Sequence, residues 1–201
     1  MAFFSMIDGA DITIGSVKLK EVNEVTIEKS WEKVTDTATI IFPKNVQFSD
    51  KATESLTEVI KKGDPVSIKL RYDGHDFYEE FTGYVRAIDL TVPVTIECDD
   101  EMYQLKRKSF SKSWKNARLQ EVIDLIAPDY ETEIADISLG QFEIEKANGA
   151  KVLTKISSDY GIKTFFRGKK LIAGFPYRFT PQETVYVYDM QQNVAVYSNL
   201  N

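Results

Sequence analysis

Chemistry in this chain would have to come from a short set of residues. The single histidine, His75, stands in Asp73-Gly74-His75-Asp76, between two segments of alternating hydrophobicity. A Ser-His-Asp triad needs its base held rigidly and partly buried. A hairpin tip offers neither, so His75 reads as an exposed turn residue. Asp99-Asp100-Glu101 could offer oxygen ligands to a hard cation, but the run lacks the spacing of a calcium loop and reads as a solvated acidic turn. Paired carboxylates of the glycoside-hydrolase kind depend on a separation in space that a sequence does not display. Gly63-Asp64-Pro65 and Gly168-Lys169-Lys170 lack the glycine spacing of a phosphate loop. With 1 Cys there is no internal disulfide and no cysteine-cluster metal site. Cys98 itself falls on an apolar strand parity, where a small buried hydrophobe is expected. No catalytic set assembles from these residues, and the expectation is a chain without catalysis, cofactor or metal.

A basic run, Lys106, Arg107, Lys108, Lys112 and Lys115, carries Phe110 and Trp114 beside it, a combination able to contact single-stranded nucleic acid. The whole chain nevertheless has 31 acidic against 25 basic residues and a net charge of −6. That balance argues against a nucleic-acid clamp. The run reads instead as a solvated connection between domains, and no sequence-specific nucleic-acid partner is expected. The N-terminal MAFFSMIDGA has no basic region and too short an apolar run for a secretory signal. No apolar run approaches membrane-spanning length. These features describe a soluble protein made in a reducing cytoplasm.

The elements that would position such residues are mostly strands, in keeping with 12 Phe and 10 Tyr among 201 residues. The chain is organised around Phe81–Phe110. Val94, Ile96 and Cys98 alternate with Thr95, Glu97 and Asp99, the period of a half-buried strand. In the strand before it, Phe81, Gly83, Val85 and Ala87 share one parity, whereas Ile88, Leu90 and Val92 share the other. That switch predicts a β-bulge or a crossing between layers. Gly83 inside the strand predicts a bend or a close backbone approach.

Upstream, Asp11–Ile14 and Val17–Leu19 flank a Gly15-Ser16 turn. Val25, Ile27 and Trp31 make a strand that returns through Ala38, Ile40 and Phe42. A short helix is expected over 51–62, stopped by Gly63. Val66, Ile68, Leu70 and Tyr72 then form a clean strand that turns at Asp73-Gly74. Closing these strands into a small barrel would remove their exposed edges. After Lys112 the period changes. Leu119, Val122, Ile123 and Ile126 predict a helix over 117–127, capped by Asn116 and ended by Pro128. A second helix is expected over 149–160, between Asn148 and Gly161. A hairpin follows over 162–173, turning at Arg167-Gly168-Lys169. Strands are read at Thr184–Tyr188 and Val194–Tyr197. The expected fold class is α+β, mainly β: a barrel with one short helix over 1–110, then a small α+β domain with two helices and hairpins over 111–201, or the start of a second barrel there.

Taken together these residues resemble the baseplate hub proteins of contractile phage tails, the late-control D family, and the hub-like N-terminal part of type VI secretion spike proteins. Phe81-x-Gly83-x-Val85, followed by a second strand and Leu105, is similar to that family's first-barrel strand pair. Leu119 and Ile123 lie on what looks like the helix that opens its inserted domain. Val152-Leu153 through Tyr160-Gly161, with the hairpin after it, looks like its second helix and hairpin. The resemblance covers about residues 20 to 175 and rests on the order of the motifs. It implies a tail-tube-like barrel, a homotrimer with other hub subunits, and tail tube and spike proteins as partners. It also implies residence in the virion tail or a phage-like particle after assembly in the bacterial cytoplasm. Members of that family commonly carry a second barrel, so this chain is expected to be the front part of a longer hub. A carbohydrate- or surface-binding module, which would show an exposed aromatic platform, is the alternative, with a small glycoside hydrolase behind it.

Overall fold

The computed structural model describes residues 7–19, 22–42 and 59–175. Its first part is one antiparallel sheet of β1 (Ile7–Ile14), β2 (Val17–Leu19), β3 (Glu24–Glu28), β4 (Thr37–Ile41), β5 (Pro65–Tyr72), β6 (Phe77–Asp89) and β7 (Thr95–Asp99). The strand order is β2-β1-β5-β6-β7-β4-β3. Alternation decides which side chains face in: Val66, Ile68 and Leu70 of β5 are buried, as are Ala38, Ile40 and Phe42 along and just beyond β4. They meet Ile12, Ile14, Phe81, Val85, Ile96 and Cys98 in one core.

The expected closure into a barrel is not found: among the described residues β2 and β3 form the two edges and do not pair with each other. The sheet is nonetheless strongly curled. β2 ends at Leu19 and β3 starts at Glu24, so the chain between them spans at most about 17 Å. A flat sheet of this size would hold its edges about 29 Å apart. Leu19 from one edge and Val25 and Ile27 from the other therefore reach the same core. β2 has only three residues, too short a ladder to close the gap, and a short edge strand also blunts that edge against other chains.

The second part begins with a one-turn helix α1 (Met102–Leu105). A long ribbon pairs β8 (Ser109–Arg118) with β10 (Ser138–Asn148), and α2 (Leu119–Ile126) and α3 (Gly149–Tyr160) pack on it. A three-stranded sheet, β11 (Lys163–Arg167), β12 (Lys170–Gly174) and β9 (Glu131–Ile134), completes it. Leu119, Val122, Ile123 and Ile126 share one buried core with Val152, Leu153, Ile156, Ile162, Phe166 and Leu171. The two helices and the hairpin thus bury their stripes together, as matched amphipathic faces must. α3 has the limits expected: Asn148 Oδ1 accepts from the Lys151 amide at 2.9 Å, and Gly161 takes φ +67°, the left-handed value that ends a helix.

Other expectations are corrected. α2 starts at Leu119, not at 117, because Ala117 and Arg118 belong to β8. Asn116 is not its cap: it lies in β8, where its Oδ1 accepts from the Ser138 hydroxyl. The reciprocal contact at the helix start is the Arg118 amide donating to Glu121 at 2.9 Å. The basic run read as a solvated connection is part strand: Lys112 and Lys115 lie exposed in β8, while Lys106, Arg107 and Lys108 precede it. Trp31 belongs to a turn, not to β3, and is exposed. Of the helix expected over 51–62, residues up to 58 lie outside the described residues, as do the strands read at 184–188 and 194–197. Ile60 is fully buried in the first core, and Gly63 has φ +92°.

Candidate functional site

The densest polar cluster lies where β7 leaves the first sheet for α1. Asp99, Asp100 and Glu101 were expected in a solvated turn; all three are buried. Burying carboxylates is unfavourable unless each finds a counter-charge or a donor, and the fold brings those from several elements.

Asp99 is held by two cations. The register between β6 and β7 shifts between Val85 and Ala87, which is the bulge anticipated from the parity switch. It turns Arg86 outward, placing its Nε 3.1 Å from Asp99 Oδ1 and its Nη2 2.8 Å from Glu97. Lys106, which caps the C-terminus of α1, sets Nζ 2.7 Å from Asp99 Oδ2. Gly83 is pressed against the same segment: a Cβ there would overlap the Asp99 carbonyl oxygen. The close backbone approach expected at Gly83 is therefore present.

Asp100 is less well served. Its Oδ1 accepts from the Met102 amide at 3.0 Å, and its own amide donates to the Asp36 carbonyl at 3.1 Å. Oδ2 is buried without a hydrogen-bond partner among the described residues. Burial pushes its carboxyl from 3.8 up to about 7, against the pull of the Met102 amide. Asp36 is also pushed up by burial, while its Oδ1 accepts from the Ser30 amide.

Glu101 ties the two parts together. It accepts from the Tyr130 hydroxyl at 2.8 Å and from the Tyr84 hydroxyl at 3.5 Å. Burial, then the adjacent Glu101, pushes the Tyr130 phenol far up, so it stays a donor. Tyr84 stacks on Tyr103 with centroids 5.6 Å apart. Above Glu101 opens a cleft of about 900 Å³, with Leu105, Ile126 and Pro128 among its apolar walls and Arg107, Lys108, Arg167, Lys169 and Lys170 around its mouth.

This arrangement fastens the β7–α1 segment to its neighbours. Both Asp99 oxygens are paired, and Glu101 is hydrogen-bonded to two phenols. His75 stands on the exposed tip of the β5–β6 hairpin, its amide bonded to the Tyr72 carbonyl. Among the described residues no group of three His, Cys, Asp or Glu side chains is placed to hold a metal ion. No helix among them is long and apolar enough to cross a membrane.

The residues carrying the family resemblance fall into two groups. Phe81 and Val85 lie in the first core beside Gly83. Leu105, Leu119 and Ile123 lie in the second, with Tyr160 packed against it. The Tyr160 hydroxyl donates to the Leu139 carbonyl at 2.8 Å, and Gly161 caps α3. A Cβ on Gly149 would come within 2.9 Å of Leu105, so α1 and the start of α3 touch through a glycine. Sequence reasoning missed Arg86, Tyr84 and Tyr130. For Arg86 the available signal was the parity switch just after it, since the register shift falls between Val85 and Ala87.

The curled sheet followed by a helix-and-ribbon unit is a fold found in phage tail proteins. It is similar to that of the 43 kDa tail protein of prophage MuSo2 from Shewanella oneidensis, at 15% identity and a TM-score of 0.60, over 82% of this chain and 53% of that one. It is also similar to the tail protein from Neisseria meningitidis MC58, at 15% identity and a TM-score of 0.55, over 82% of this chain and 49% of that one. The chain spans about half the length of those two proteins. No protein-family model matches the chain, and no curated protein matches it in sequence.

Proposed function

We propose that this chain is a structural component of a phage tail or phage-like injection system, a baseplate hub subunit that links the tail tube to the spike. The observation that carries the reading is the fold shared with two tail proteins over 82% of the chain. The buried polar junction supports it. Carboxylates locked by Arg86, Lys106 and Tyr130 make a stiff connection between two cores, which suits a part that transmits force and performs no catalysis. In this reading 1–110 forms the tube-like unit, 111–201 begins the unit beside it, and three copies meet the tube and the spike within the virion tail. The exposed rings do not favour the alternative of a carbohydrate-binding platform. Trp31 lies under the Lys163 ammonium at 5.5 Å and Phe77 under the Arg71 guanidinium at 5.2 Å, so one face of each ring is already taken by a cation of the chain itself.

Cross-linking and mass spectrometry of purified tail particles tests this. Cross-links from this chain to both tube and spike proteins are expected. Cross-links to sheath or fibre proteins alone would remove the hub assignment and leave a different tail role.

A further inference from the structure

We propose that the acidic, aromatic tip of the β5–β6 hairpin of one copy docks into the cationic cleft of a second copy. The cleft is an exception to the chain's own charge. In a protein of net charge −6, its mouth gathers Arg107 and Lys108 on one side and Arg167, Lys169 and Lys170 on the other. Lys170 is engaged by Glu131 and Glu133 and Lys108 lies 4.0 Å from Asp129, and Glu101, Asp129 and Glu131 also line the cleft, but Arg167 and Lys169 are exposed and have no ion-pair partner among the described residues. Below them lie Leu105, Pro128 and the Tyr130 ring. Its occupant should therefore bring carboxylates at the rim and rings beneath.

The hairpin tip has that composition. Asp73 and Gly74 both take positive φ, +50° and +74°, giving a tight turn that leaves Asp76 and His75 exposed at a narrow end. Directly behind it Phe77 and Tyr78 are 41% and 55% exposed. Large rings left in water beside a carboxylate are what an interface anchor looks like before its partner arrives.

The tip cannot reach the cleft of its own chain. Tyr78 belongs to the tip and Tyr84 to the cleft wall, and both lie on β6, paired along its length with β5. Six residues of strand hold them about 20 Å apart. The contact must then join two copies through two different surfaces. Such a heterologous contact leaves one tip and one cleft free at the ends, so it grows into a ring or a filament. This does not depend on whether the chain works as a hub.

Sedimentation velocity on the full chain tests it with two exposed-surface variants. One inverts the cleft (Arg167→Glu with Lys169→Glu) and one removes the charge and ring of the tip (Asp76→Ala with Tyr78→Ser). Wild type should associate, more weakly as salt rises, and each variant should lose association by about tenfold or more. An equimolar mixture of the two variants should form dimers and nothing larger, because one intact tip still meets one intact cleft. A wild type that stays monomeric at millimolar concentration, variants that associate like wild type, or a mixture without dimers would each overturn the proposal. Far-ultraviolet circular dichroism matching wild type shows that the variants are folded.

Discussion

Replacing Asp100 by asparagine keeps the shape of the side chain and the Oδ1 acceptor for the Met102 amide, while removing a charge that the fold must bury. The folded chain holds that proton up to about pH 7, whereas an unfolded aspartate releases it near 3.8. Between those values the folded state binds more protons than the unfolded one, so stability falls as pH rises. The full effect at pH 8 is about 4 kcal/mol, at about 1.4 kcal/mol per tenfold change in proton affinity. In the variant an amide nitrogen replaces Oδ2, which has no partner among the described residues. Leaving that donor unsatisfied costs about 1–3 kcal/mol. Asp100→Asn should therefore be more stable than wild type by about 1–3 kcal/mol at pH 8, and no more stable at pH 4.5. Urea unfolding of both proteins at the two pH values measures it. The informative quantity is the difference in pH dependence, because Asp36 contributes in the same direction in both proteins. Parallel pH profiles for variant and wild type would refute the claim that Asp100 is buried with its charge uncompensated.

Three further predictions concern packing and the junction. Ile123→Asp places an unpaired charge in the second core, where Ile123 is fully buried, and should unfold that unit; an unchanged thermal melt would count against it. Gly83→Ala forces a Cβ into the Asp99 carbonyl and should destabilise by about 1–3 kcal/mol, measured by the same urea titration. Tyr130→Phe removes the donor to Glu101 and should lower stability by about 1.5–3 kcal/mol. It should also quicken amide exchange on both sides of the junction, which a purely local loss would not do.

What could be read from sequence divides along physical lines. β5 was legible because Val66, Ile68 and Leu70 alternate without interruption. α3 was legible because Asn148 and Gly161 mark its ends. β8 and β10 were missed. Their pairing shifts register three times, between Ser138 and Gly140, Gly140 and Phe142, and Ile144 and Ala147, so neither strand keeps a period of two. The open sheet edge was missed because closure depends on edge length, and β2 is only three residues. The buried junction was illegible for a different reason. Asp99, Asp100 and Glu101 look like a solvated turn until their partners arrive, and Tyr130 is 29 residues away. Carboxylate burial is decided by tertiary neighbours, and no local pattern announces it.

The central claim is that this fold works as a structural part of a tail, at the junction of tube and spike. Cryo-electron microscopy of tail particles purified from the producing cell, at a resolution that traces strands, tests it most directly. The account predicts density at that junction that fits the curled seven-stranded sheet and the β8–β10 ribbon as one rigid piece, in three copies. Particles that are complete at the junction, with all of its density explained by other chains, would contradict it.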